Sequence, residues 1–255
     1  GTNCEDDTAR TFREFGALPE VLLFRNLDSR MIADSLEELG KKLDRCQILV
    51  IPGGFSLGDE PEGSGKFISA VFKNPRIREG VLKLLHQRDG LALGICNGFQ
   101  ALIKLGLVPF GDIRDLTPQS PTLTFNTVGR HISRALHVRV ASVLSPWFMY
   151  HRTGDILTVP VSHGEGRFVA GPALIRTLAE WGQIATQYCD PGGRVLDDPR
   201  TNPNGSYQAV EGITSADGRI LGRMGHAERM GSNLLRNISG RQDPGIFRGG
   251  VDYFK

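Results

Sequence analysis

A short apolar run, Gly90–Ile95, passes with no connector into a helical pattern that extends from about Asn97 to Leu105. A strand that turns into a helix in one step is half of a βα unit, and other segments repeat the alternation. Glu20–Phe24 reads as a strand. Asp28 or Ser29 then caps a helix through about Leu43, with Ile32, Leu36, Leu39 and Leu43 at helical spacing. Cys46–Ile51 reads as a buried strand ended by Pro52-Gly53-Gly54, and Ile77–Leu85 as an amphipathic helix after a Gly-rich loop. Segments around Leu136–Val143, Ile156–Val161, Gln183–Tyr188, Gln208–Ile213 and Arg219–Met224 read as strands with antiparallel or mixed pairing. The pattern predicts an α/β fold: an open, mostly parallel sheet with helices on both faces and added antiparallel strands.

Turns are marked by Pro-Gly-Gly at 191–193 and by Asn202-Pro203-Asn204-Gly205. There is no repeat, low-complexity tract or linker, so residues 1–255 read as a single domain. Formal net charge is +2 with the basic residues scattered, which argues against a nucleic-acid partner. The longest apolar stretches are too short to span a bilayer, and no signal segment opens the chain. Cys4, Cys46, Cys96 and Cys189 lie far apart with neither a C-x-x-C pair nor metal-ligand spacing. Two disulfides are one reading; reduced thiols in a cytoplasmic protein fit better, since a domain of this size has core enough to stand unstapled. Gly1-Thr2-Asn3-Cys4 reads as a turn that follows a strand, yet no strand precedes it.

The most informative stretch is Gly94-Ile95-Cys96-Asn97-Gly98, which has the G-x-nucleophile-x-G form of a strand-to-helix elbow. Such a turn lifts its apex side chain out of the sheet, and flanking glycines let strand and helix pass closely. Cys96 stands at a helix N-terminus, in a field that favours thiolate, and the Asn97 N–H points at the place where an oxyanion would form. The plainer alternative is a buried cysteine in a glycine-flanked turn. A nucleophilic cysteine needs a base, and the base needs an orienting group. Two pairs offer both: His163-Gly164-Glu165 and His226-Ala227-Glu228, each after an expected strand. Alternate residues of an extended segment project to one side, so periodicity cannot choose between the pairs. A zinc site from Cys96, His163 and His226 is conceivable, but no ligand spacing supports it and no metal is expected.

Together these residues resemble the class I (triad) glutamine amidotransferases, whose order is G-x-C-x-G-x-Q and then H-x-E. Here these are Gly94-Ile95-Cys96-Asn97-Gly98-Phe99-Gln100 and His226-Ala227-Glu228. Longer matches resemble the amidotransferase part of the phosphoribosylformylglycinamidine synthases. They are Pro52-Gly53-Gly54-Phe55-Ser56-Leu57-Gly58-Asp59, Ser162-His163-Gly164-Glu165-Gly166-Arg167 and Pro203-Asn204-Gly205-Ser206, together with Gly225–Arg229 and the tail Val251–Phe254.

The resemblance implies a flavodoxin-like or Rossmann-like sheet with Cys96, His226 and Glu228 as catalytic triad. It also implies an oxyanion hole from Gly54 or Phe55 with Asn97, and substrate contacts from Gln100, Asn126, Arg130, His163 and Glu165. Asn126–Arg130 matches an N-x-x-x-R segment, with Val128 where serine is commoner. Family members carry an apolar strand ahead of the Gly-Thr-Asn-Cys turn, which implies that this chain is the C-terminal part of a longer synthase and lacks that strand. The implied activity is hydrolysis of glutamine to glutamate and ammonia. The ammonia passes to a synthetase partner, fused or separate, that makes formylglycinamidine ribonucleotide in purine biosynthesis. Gly63-Ser64-Gly65-Lys66 lacks the Walker spacing, so ATP and Mg belong to that partner and this domain needs no cofactor. Two other readings stay open: a docking module inactive until its partner orders the pocket, and a related cysteine amidase or peptidase.

Overall fold

The computed structural model describes residues 2–54, 65–231 and 234–255. In chain order the elements are α1 (Glu5–Glu14), α2 (Ser29–Leu43), β1 (Ile48–Ile51), α3 (Lys66–Phe72), α4 (Pro75–His86), β2 (Leu91–Ile95) and α5 (Asn97–Leu105). A one-turn α6 (Leu107–Phe110) follows, then β3 (Thr122–Thr124), β4 (Ile132–Val140), β5 (Ile156–His163), β6 (Arg167–Val169) and α7 (Pro172–Glu180). The chain closes with β7 (Ile184–Cys189), β8 (Val210–Thr214), β9 (Ile220–Arg223) and α8 (Gly245–Asp252). Most expected segments form where patterning placed them. The Asp28 side chain caps α2 by accepting from Met31 N at 2.7 Å, and α5 has the expected ends.

Among the described residues seven strands make one sheet in the order β1-β2-β9-β8-β7-β4-β5, and β3 pairs with β6 in a small second one. The class is α/β, as expected, with a different balance of pairings. β1, β2 and β9 run parallel, whereas the four remaining contacts of the large sheet are antiparallel. One reason is that Glu20–Phe24 is not a strand: it makes no ladder among the described residues, so the parallel part is narrower than patterning suggested. Apolar alternation gives a segment the right side chains, but a strand also needs a neighbour's N–H and C=O groups.

The sheet is curled. β5 lies five places from β2, roughly 24 Å away if the sheet were flat. Yet the Ser162 carbonyl accepts from Cys96 Sγ at 3.6 Å, and the Pro160 carbonyl accepts from His226 N at 2.8 Å. Curling therefore brings the free edge of β5 back to the end of β2. The core beneath is close-fitted: a Cβ on Gly222 of β9 would overlap the ring of buried Phe99 of α5. At one end Phe12 of α1 packs edge-on against Phe247 of α8 at 5.0 Å and Trp147 at 6.4 Å. That anchors α1 beside the segment that follows β9.

Candidate active site

The elbow at the end of β2 has the backbone that its sequence requires. Cys96 has φ 50°, a left-handed conformation that L-residues rarely adopt, and its N–H is tied to the Arg223 carbonyl of β9 at 2.8 Å. A Cβ on Gly94 would stand 2.7 Å from the Gly98 carbonyl group, and one on Gly98 would overlap the Ile51 carbonyl oxygen. Both positions therefore need glycine for the close approach. Cys96 is buried at the N-terminus of α5, where the Asn97 N–H has no intrahelical acceptor.

His226 and Glu228 lie beyond the end of β9, both 0 % exposed, and the imidazole Nδ1 meets Glu228 Oε1 at 2.5 Å. Nε2 is buried and makes no hydrogen bond among the described residues. Burial alone would push the His226 pKa down; the Glu228 carboxylate, with the sulfurs of Cys4 and Cys96, more than offsets it and holds the imidazole well above 6.5. Gly53 presses on the same ring, since a Cβ there would fall 2.6 Å from His226 Cε1. The expected turn thus lies against the histidine. Gly54 follows at φ 136° and bridges Thr2, while Phe55 and the rest of the Gly-rich loop before Gly65 lie outside the described residues.

The other H-x-E pair is built differently. His163, the last residue of β5, pairs its Nδ1 with Asn126 Oδ1 at 3.2 Å. Asn126 donates its amide to the carbonyls of His163 (2.8 Å) and Arg130 (3.1 Å), and its Oδ1 also accepts from Gly166 N at 3.2 Å. An oxygen in that place makes His163 Nδ1 the protonated nitrogen, which leaves Nε2 as an acceptor, buried and without a hydrogen bond among the described residues. Burial, then the charges of His226 and His131, push the His163 pKa down to about 3, so this ring stays neutral. Gln100 Nε2 donates to the Glu165 carbonyl at 2.6 Å, and its Oε1 accepts from Asn97 at 3.0 Å. Arg130 is exposed, and among the described residues it lends the cluster its backbone carbonyl. The structure thus brings Cys96, Asn97, Gln100, His163, Glu165, Asn126 and the His226–Glu228 pair to one side of the curled sheet.

A thiol on a strained elbow beside an imidazole–carboxylate pair is equipped to attack a carbonyl carbon. A CobB/CobQ-like glutamine amidotransferase domain model matches residues 1–254. The chain belongs to that glutamine amidotransferase family. It is 34% identical over 241 residues to "phosphoribosylformylglycinamidine synthase subunit PurQ" of Symbiobacterium thermophilum, covering 94% of this chain and 89% of the relative. The protein of that name from Methanococcus maripaludis is 36% identical over 230 residues, covering 90% and 79%. Among solved structures, PurLQS from Thermotoga maritima superposes with a TM-score of 0.69 at 24% identity, over 100% of this chain and 95% of that one. A putative GMP synthase component from Thermoplasma acidophilum does so at 0.55, with 14% identity over 99% and 88%.

Several residues around this cluster had no sequence signal. Arg10 Nη2 and Thr11 Oγ1 of α1 donate to the Glu228 carbonyl at 3.1 and 3.4 Å. Beneath the elbow Glu211 and Arg223 form a fully buried ion pair at 3.2 Å, and Glu211 also accepts from Gly225 N at 2.5 Å and from Thr186. Cys4 lies 3.9 Å from His226 Nδ1. Cys4, His226 and Glu228 are the one group with metal-ligand reach among the described residues, their donor atoms lying within 4.8 Å of one another. The zinc grouping conceivable from sequence names Cys96 and His163 instead. In the trio Nδ1 is already engaged by Glu228, and the Cys4 sulfur by Arg229 at 2.9 Å, an arrangement unsuited to a cation. No helix among the described residues is long and apolar enough to cross a membrane.

Proposed function

We propose that the chain hydrolyses glutamine to glutamate and ammonia as the glutaminase part of a phosphoribosylformylglycinamidine synthase. The reading rests on the 2.5 Å His226–Glu228 pair buried beside the thiol of the β2–α5 elbow, and on relatives that carry the name of that synthase's PurQ component. His226 takes the Cys96 proton, and the sulfur attacks the side-chain carbonyl carbon of glutamine. The oxygen gathers negative charge toward the Asn97 N–H, with the Gly54 turn supplying the second donor. The carbon–nitrogen bond then breaks, His226 gives its proton to the departing nitrogen, and ammonia leaves. Water, deprotonated by the same imidazole, attacks the thioester; the carbon–sulfur bond breaks, glutamate departs and Cys96 regains its proton.

Glu228 holds the ring with Nε2 turned away from itself and stabilises the imidazolium between the two proton transfers. Each preorganised oxyanion donor contributes on the order of 3 kcal/mol to such a transition state. Gln100, Asn126, His163 and Glu165 make the wall that receives glutamine, and Arg130 stands at its edge. Because His163 stays neutral, it offers a hydrogen-bond acceptor to an amide N–H without the risk of protonating free ammonia. Every group in this chemistry belongs to the chain. ATP and Mg act in the synthetase partner, which consumes the ammonia in the cytoplasm.

The test is glutamate release from glutamine by the complete protein and by its Cys96→Ala variant. Loss of the nucleophile should cost at least about a thousandfold in kcat. Turnover retained by the variant would refute the assignment.

A further inference from the structure

Two side chains stand at the Nδ1 side of the His226 ring, and two more hold one of them. Glu228 Oε1 stands 2.5 Å from that nitrogen and Cys4 Sγ 3.9 Å. The same sulfur accepts from Arg229 Nη2 at 2.9 Å and donates to Asn3 Oδ1 at 3.2 Å. Cys4 is buried, and nothing in the proposed chemistry uses its thiol. Arg229 poses a problem for that chemistry. It follows Glu228 in the chain, and a guanidinium is the strongest available partner for a carboxylate. Glu228 has an oxygen to offer, because Oε2 is buried and makes no hydrogen bond among the described residues. A guanidinium turned onto Glu228 would compete with His226 for its orienting partner. It would also set a permanent positive charge against a ring whose charged form the Glu228 carboxylate favours.

We propose that Cys4 is a positioning residue of the triad, whose sulfur anchors the Arg229 guanidinium and so leaves the Glu228 carboxylate to His226. The anchor is itself held firmly. Cys4 precedes α1, and its carbonyl accepts from Thr8 Oγ1 at 2.6 Å and Thr8 N at 3.0 Å. Asn3 N donates to the Gly53 carbonyl at 3.2 Å, and the missing side chain of Gly53 leaves room for both the ring and the sulfur. Since α1 also grips the Glu228 carbonyl through Arg10 and Thr11, one helix and the residue before it fix both the carboxylate's backbone and its competitor. Burial opposes the charge on Arg229, but the Cys4 sulfur, with Glu228 and Cys96, outweighs it, so the cation is favoured where it stands. The groups that act on His226 are Glu228 from its own segment, Cys4 from the start of the chain, Cys96 from the elbow and His163 from β5, while Arg229 and Arg10 touch its partners Cys4 and Glu228.

The proposal rests on the glutaminase reading, so its experiment has two readouts. The complete protein is compared with Cys4→Ala, Cys4→Ser, and Cys4→Ala combined with Arg229→Met. Cys4→Ala should lower kcat for glutamine about tenfold, one pKa unit's worth of interaction, with KM little changed. Cys4→Ser, which still offers an acceptor, should keep most of the activity. Adding Arg229→Met should restore the alanine variant, because it removes the competitor; such rescue also shows that Cys4→Ala folds. The second readout is the pH dependence of Cys96 alkylation by iodoacetamide, which needs no glutamine turnover. Its midpoint should rise in Cys4→Ala, where the imidazolium is less well supported, and return in the double variant. Should the parent fail to hydrolyse glutamine, the glutaminase reading falls and the alkylation midpoints still decide the role of Cys4. An unshifted midpoint in Cys4→Ala, or a double variant no better than the single one, would overturn the proposal.

Discussion

Two histidines of one site, His163 and His226, are driven in opposite directions by their neighbours. His226 gains a carboxylate at 2.5 Å and its pKa rises despite burial. His163 gains only the neutral amide of Asn126, so burial prevails and its pKa falls to about 3. This has a consequence for stability. In the unfolded chain such a ring binds a proton below about 6.5, whereas in the folded chain it resists until about 3. Between those values the unfolded state holds more protons, so the His163 contribution is fully present above pH 6.5 and is lost as pH falls toward 3. At its steepest the slope is about 1.4 kcal/mol per pH unit. Denaturant unfolding at pH 7 and pH 4.5 should therefore show a weaker acid loss in His163→Gln than in the parent, by about 1 kcal/mol or more. Equal losses would mean that the ring titrates as it does in water. Periodicity did not separate the two histidines, since both stand in H-x-E; the difference is that Glu228 meets His226, whereas Asn126, distant in the chain, meets His163.

At the scale of elements, β2, the elbow and α5 were legible almost to the residue, because their constraints are local: an apolar strand, two glycines and a helix that starts at once. Gly98→Ala should lower stability by about 3 kcal/mol and abolish glutamine turnover, because its Cβ has to displace the Ile51 carbonyl. Gly129→Ala is the matched control. It has positive φ but open space around it, so thermal unfolding should report a loss of only about 1 kcal/mol. Similar losses for the two would contradict the close-approach argument. α1 was not legible, although it organises the site. Its buried face is Thr8, Ala9, Thr11 and Phe12, too polar to give an apolar stripe. Glu20–Phe24 misled for the converse reason, having strand-like side chains but no ladder partner among the described residues.

Across the whole molecule, the site depends on curl. Cys96 belongs to the parallel part of the sheet and His163 to the antiparallel edge strand, while His226 leaves β9 between them. Alternating patterns identified the strands, but pairing and curvature come from contacts between distant segments, which a linear pattern does not carry. The family motifs supplied the choice of His226 over His163 in advance, and the geometry gives it a physical basis: His226 has the carboxylate, whereas His163 has an amide. The central claim is that the Cys96 sulfur is the group made nucleophilic by this convergence. The chain has three other cysteines, Cys4, Cys46 and Cys189, as internal controls. The direct measurement is treatment of the complete protein with a chloromethyl ketone analogue of glutamine, followed by peptide mass spectrometry. The account predicts one adduct, on the peptide that contains Cys96, formed in step with loss of glutaminase activity and blocked by excess glutamine. Inactivation with the label on Cys4 or another residue, while Cys96 stays free, would contradict it.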